Sequence, residues 1–233
     1  MAESLADAVA QGACDDRGMS YKIARLNEIE EITDGRCPFR PVRLHFGISS
    51  FGVNVWTGRA AGDRIINEHD EAGEQEELYL VLSGRAAFEL DGERREVRAG
   101  TLVFVEPGVK RTAFAEEAGT SIMALGGMAG KAYVASGFEV WAPVTPLYQA
   151  GQYAEAADRG REVVEAHPDY PEPLYNLACC ESLAGRSADA IGHLRQAFER
   201  SGERSGDVRE WAKTDTDFDP IRDKPEFKEL VGG

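Results

Sequence analysis

The sequence predicts a β-rich N-terminal domain followed by a smaller α-helical one. Three observations carry this. Short apolar runs alternate with glycine turns about every ten residues between Arg43 and Gly137. Past Trp141 the hydrophobic period changes from two to about 3.6. The C-terminal part then repeats itself at an offset of 34 residues. Some six to eight short strands of this kind close into a barrel or pair as two sheets, which removes exposed strand edges.

Residues 1–18 are small, polar and weakly patterned, and a more ordered sequence begins at Met19-Ser20-Tyr21. Residues 1–20 read as a flexible tail, or as an over-extended start with true initiation at Met19. This stretch lacks the basic start and continuous apolar segment of a signal peptide. The β-rich domain is assigned to 21–141. Within it, 53–57 alternates as a half-buried strand, and the runs 78–82 and 86–90 flank Ser83-Gly84-Arg85. Residues 94–97 lead into the Ala99-Gly100 turn, 101–105 end at Pro107-Gly108, and 120–125 end at Gly126-Gly127. Trp56, Tyr79, Phe88 and Phe104 occupy alternating strand positions and read as core, with a pocket lining as the alternative.

The helical domain is assigned to 142–233. Gly151-Gln152-Tyr153-Ala154-Glu155-Ala156 and Gly185-Arg186-Ser187-Ala188-Asp189-Ala190 stand 34 residues apart, and the same offset carries Val163 onto Ala197. Leu174, Leu177, Ala178, Ala190, Leu194 and Ala197 supply the small and apolar positions of the second repeat. Two repeats fall short of the roughly three needed for independent stability, so the helices are expected to lean on the barrel, with the tail 225–230, which holds Phe227 and Leu230, capping them.

Charge excludes several functions. The chain holds 26 basic and 41 acidic residues, a net of −15, which repels phosphate backbones and anionic headgroups. Neither nucleic acid nor membrane is an expected partner, and no apolar run approaches the ~20 residues of a bilayer span. Cys14, Cys37, Cys179 and Cys180 form no CxxC pair, and adjacent Cys179 and Cys180 read as packing residues. A cytoplasmic location is the expectation. No nucleotide-binding loop or nucleophile elbow is present.

The chemistry concentrates in 62–92, GDRIINEHDEAGEQEELYLVLSGRAAFELDG, where an acidic loop with His69 opens onto a strand. The end of this stretch, Glu77 with six residues before Gly84, together with the later run Gly100 to Arg111, resembles the two motifs of a single-domain cupin, a jelly-roll barrel. The 34-residue repeat resembles the tetratricopeptide repeat. The implied fold is a cupin-like jelly-roll β-barrel followed by an α-helical tetratricopeptide-like module. Metal-binding cupins carry a His-x-His pair, a Glu and a last His. Here His69 and Glu71 fall near the pair, Glu77 matches the carboxylate, and Arg111 stands where the last histidine belongs. Gly62 precedes His69 by seven positions where the motif has six.

Three readings follow. His69, Glu71 and Glu77 could hold a divalent ion (Fe, Mn, Ni or Zn), against which Arg111 places a fixed positive charge. In the second, Arg111 pairs with Glu77 in the barrel mouth, and a small polar or anionic ligand binds there beside His69 and Tyr79. In the third, the acidic loop is solvated and Arg111 faces water. No catalytic residue is assigned. His45 reads as a packing or surface histidine, His167 as a helix-end residue, and His193 as an exposed one. The functional expectation is a ligand-binding or sensing barrel without a complete metal site, coupled to a helical module for protein partners. A homodimer is a further expectation. The alternative is a metal-dependent oxygenase or isomerase.

Overall fold

The computed structural model describes residues 21–33, 35–70, 74–201 and 208–232. The expected tail, Cys14 and Glu71 lie outside the described residues. The chain divides into two compact units, one ending at Val134 and one beginning at Ala135.

Among its described residues the first unit holds nine strands: β1 (Phe39–Arg40), β2 (Gly52–Thr57), β3 (Arg64–His69), β4 (Glu76–Ser83), β5 (Arg85–Leu90), β6 (Glu93–Arg98), β7 (Leu102–Val105), β8 (Arg111–Ala115) and β9 (Ser121–Gly127), with a short helix α1 (Val42–Phe46) before β2. They form two antiparallel sheets, β1-β2-β9-β4-β7 and β3-β8-β5-β6. Six strands fall where the apolar runs predict them. β1, β3 and β8 do not: sequence reading treats 62–71 as turn and loop, and makes no strand of 111–115. These strands are written in residues such as Asn67, Glu68 and Arg111 that lower β propensity, and long-range pairing overrides that local preference.

Local turn chemistry sets the registers. Asp91 and Gly92 both take positive φ (50° and 83°) between Leu90 and Glu93, the two-residue hairpin that suits strand twist. Gly84 at φ 72° turns β4 into β5, and a Cβ there would stand 2.5 Å from Thr120 Oγ1. The core lies between the sheets, where Ile65, Ile66, Val81, Ala86, Phe88, Val105, Ala113, Ala115 and Ile122 are buried. Phe104 corrects an expectation. Val103 and Val105 point inward, so the pleat turns Phe104 outward, where it is 56% exposed.

The second unit is helical: α2 (Gly137–Trp141), α3 (Thr145–Gln149), α4 (Tyr153–Ala166), α5 (Pro171–Leu183), α6 (Ser187–Arg200), α7 (Val208–Thr214) and α8 (Pro225–Gly232). α4 and α6 are both 14 residues long and start 34 residues apart, so the sequence period is the period of the structure. Gly151 and Gly185 precede them at φ 73° and 77°, a left-handed conformation that glycine adopts without steric cost. Gly160, inside α4, permits a close approach: a Cβ there would stand 2.6 Å from the Trp141 ring. Leu174, Ala178, Ala190, Leu194 and Ala197 are buried in one cluster with Phe218, Phe227 and Leu230, so the tail helix α8 seals the core it was expected to cap. No described helix is long and apolar enough to cross a membrane.

Candidate functional site

The barrel's first sheet presents Glu77, Tyr79 and Val81 inward from β4, because alternate residues of a strand share a face. The second sheet presents Arg111 from the start of β8, and Arg111 lies opposite His69, the last residue of β3. His69, Glu77, Tyr79 and Arg111 therefore meet between the sheets. Arg111 is 1% exposed and is the largest fully buried side chain described. The expectation that it could face water is thus not the arrangement seen.

One oxygen is the centre of the cluster. Glu77 Oε2 accepts from Arg111 Nε at 2.9 Å, from His69 Nε2 at 3.1 Å and from the Tyr79 hydroxyl. Arg111 Nη2 adds an ion-pair contact at 2.9 Å to the same oxygen, at an angle too poor for a hydrogen bond, while Nη1 donates to the Val109 carbonyl at 2.8 Å. His69 Nδ1 faces the carbonyl of Asn67 at 2.7 Å. Both ring nitrogens face oxygen acceptors, an arrangement that favours the doubly protonated ring.

The proton affinities follow. Burial pushes the Glu77 carboxyl up, but the hydrogen bonds from His69 and Tyr79 and the charges of His69 and Arg111 outweigh it and hold Glu77 below the ordinary carboxylate value. Burial pulls His69 down, but its bonds to Glu77 and Asn67 and the Glu77 charge carry it above 6.5. Burial, then the Glu77 charge, raises the Tyr79 phenol so that it stays protonated and donating.

His69 and Glu77, the two expected metal ligands that are described, do not fit a divalent cation as arranged. Glu77 Oε2 already accepts from three donors, and His69 Nε2 is turned toward that same oxygen. A buried guanidinium 2.9 Å from that oxygen adds like-charge repulsion toward any cation placed there.

Elsewhere, His45 makes an edge contact with Phe46, and His167 ends α4 with its ring edge-on to Tyr170. His193 departs from its expected exposure: its Nδ1 lies 2.7 Å from Oε2 of Glu181, which is fully buried. Arg161 meets the other oxygen of Glu181 through Nε and Nη2 at 3.1 and 2.8 Å. Sequence reading missed this network because Glu181 looks like any other helix glutamate. Cys179, Asp215 and Asp217 also approach one another within 4.8 Å. Their oxygens are engaged by Tyr175 at 2.8 Å and Tyr148 at 2.7 Å, and burial raises both the Cys179 and Cys180 thiols, the latter to about 12. These cysteines are packing residues.

Comparison with known families matches residues 59–123 to the cupin domain and residues 147–205 to a tetratricopeptide repeat. The chain carries a cupin domain followed by a tetratricopeptide-like repeat. Solved structures similar to it include a cupin protein from Bacteroides fragilis, at 18% identity and a TM-score of 0.40, covering 51% of this chain and 92% of that one. KdgF from a Halomonas species is similar at 15% identity and a TM-score of 0.38, over 46% of this chain and 93% of that one. A cupin-superfamily sugar phosphate isomerase from Silicibacter pomeroyi is similar at 20% identity and a TM-score of 0.40, over 48% and 81%. The comparison with curated proteins gives no match.

Proposed function

We propose that the cupin barrel is a binding or sensing module for a small polar or anionic ligand, working without a resident metal, and that the helical unit offers a surface to protein partners. The observation that carries this is the saturation of Glu77 Oε2 by Arg111, His69 and Tyr79. It engages the carboxylate of the cupin-like motif with a buried guanidinium, an imidazole and a phenol. Helical repeats present surfaces for peptide segments, which supports a sensing arrangement in which barrel occupancy alters what the repeats hold.

The test is metal analysis of the full chain purified without chelator, with thermal shifts on adding Mn²⁺, Fe²⁺, Ni²⁺ or Zn²⁺ and, separately, acetate. No stoichiometric metal and no divalent-ion shift are expected, whereas acetate raises the barrel's melting temperature in the wild type and not in Arg111→Met. Stoichiometric metal that disappears in Glu77→Ala overturns the proposal in favour of a metal-dependent enzyme.

Self-association belongs to the same reading. Leu78, Leu82, Leu102 and Phe104 stand exposed on the outer face of the first sheet, beside its edge strand β7. An antiparallel edge can pair with its own copy about a twofold axis, which a foreign partner matches only by bringing an edge of its own. Exposed apolar side chains grouped on one sheet face mark contact sites, and a polar rim would extend such a patch toward the roughly 800 Å² per partner of a stable interface.

A further inference from the structure

The second sheet carries an open cavity of about 350 Å³ at the end where Gly84 turns the chain into β5, lined by Arg85, Glu96, Val97, Arg98, Thr101 and Glu116. We propose that this cavity is a binding site for a small zwitterion whose ammonium and carboxylate are separated by a short carbon chain. It stands apart from the Glu77 cluster. Arg111 lies opposite Leu90 at one end of β5 and Arg85 begins the other, the length of a six-residue strand or about 17 Å away.

Strand register builds the charged wall. Ala86 and Phe88 fill the core, so Arg85 and Ala87 look outward from β5. Arg98 pairs directly with Arg85, and Glu96 with Ala87, so both share that outer face. Ala115 is buried in the core as well, which turns Glu116 outward beside Arg85, whose carbonyl accepts from the Glu116 amide at 2.8 Å. Like charges directly opposite each other across two strands repel, and Arg85 and Arg98 are such a pair. Arg85 is partly relieved by Glu117, which it reaches through Nε alone at 3.2 Å. Glu116 is engaged by Arg94. Arg98 and Glu96 have no hydrogen-bond or ion-pair partner among the described residues. They stand two residues apart on an extended strand, about 7 Å between stems, as one free cation and one free anion on the same wall.

That wall selects its ligand by charge. A guanidinium offers only donors, in a fork that matches a carboxylate, while a carboxylate side chain only accepts and suits the three donors of an ammonium. A carboxylate placed between Arg85 and Arg98 also removes their mutual repulsion. A simple anion gains that contact but meets Glu96 and Glu116, and a simple cation meets the two arginines. One molecule bearing both charges satisfies both ends. The spacing of about 7 Å matches three methylenes between the charges better than the single carbon of an α-amino acid. The cavity has the volume of a small-molecule site, and its exposed rim leaves entry open.

The experiment is an NMR titration of the isotope-labelled full chain with γ-aminobutyrate, butyrate and butylamine, at neutral pH and low salt, where exposed charges are least screened. The three share a carbon skeleton and differ in charge. γ-Aminobutyrate is expected to bind about fivefold or more tightly than either half, the lower end for a charge-assisted bond because these side chains reach solvent. It should shift the amides of Glu96, Arg98 and Glu116 and leave Tyr79 in place. Arg98→Met should abolish the preference over butylamine, and Glu96→Gln the preference over butyrate. Both positions are exposed, so melting temperature should confirm that the variants fold. Arg111→Met, at the other end of the sheet, should bind γ-aminobutyrate as the wild type does. Butyrate binding as tightly as γ-aminobutyrate overturns the proposal in favour of a plain anion site, and butylamine binding as tightly overturns it from the other side. Binding of none of the three, or shifts that survive Arg98→Met and vanish in Arg111→Met, overturns the site while leaving the reading of the barrel mouth to its own test.

Discussion

Removing Arg111 is the sharpest perturbation of the barrel. Arg111→Met deletes a guanidinium whose side chain is 0% exposed and whose Nε and Nη2 both stand 2.9 Å from Glu77 Oε2. Methionine keeps most of the stem's packing, so the cavity contribution is small. What remains is a carboxylate with 10% side-chain exposure, held by His69 and Tyr79 alone. Breaking a buried pair by removing one partner costs about 3–5 kcal/mol, and the retained imidazolium places the expected loss at the lower end, about 3 kcal/mol. Adding Glu77→Gln removes the stranded charge, so the double variant should recover about 2 kcal/mol of the sum of the single losses. Native-state hydrogen exchange at the Val81 amide, which donates to Thr101 O at 3.1 Å, reports opening of the barrel separately from the helical unit. A single-variant loss below about 0.5 kcal/mol, or strict additivity in the double variant, would refute the argument.

Barrel stability should also follow pH with a defined shape. Glu77 is held low in the folded state, so its contribution is present above its ordinary value of 4.5 and is lost as pH falls through the folded value. His69 is raised, so its contribution is complete below 6.5 and is lost as pH rises through the folded value. Exchange at Val81 should be slowest between those limits, and His69→Gln should remove the alkaline decline and move the acid limb to higher pH, since His69 helps hold Glu77 low; an unchanged alkaline limb would count against a charged His69. On the outer face, Leu102→Glu with Phe104→Glu should convert a dimer to a monomer by light scattering while leaving the melting temperature within a few degrees. A wild type that scatters as a monomer at every concentration would end the self-association reading.

Much of the site was visible residue by residue and invisible as a set. Glu77 and Arg111 stand out because they fall on motif positions, and a carboxylate and a guanidinium there demand an explanation. The raised proton affinity of His69 could not be read, because it depends on Asn67 O and Glu77 Oε2 facing the ring from two directions. Glu181, buried beside Arg161 and His193, left no sequence signal at all, since a single glutamate in a helix has many neighbours it could meet. Phe104 shows the same limit from the other side: strand periodicity establishes that faces alternate, and only the core decides which face is inside.

The sequence by itself determined the two architectures and their order. Period-two runs between glycine turns and a 34-residue repeat are local or nearly local patterns, so they survive without knowledge of the fold, and α4 and α6 reproduce that offset residue for residue. Tertiary structure alone decided the site. β3 and β8 carry His69 and Arg111 in stretches with weak strand propensity, and these strands form because pairing across more than forty residues of chain supplies what local preference does not. The charge state of the mouth is a property of that pairing, since an ionised group is defined by what surrounds it, and its surroundings come from distant parts of the chain.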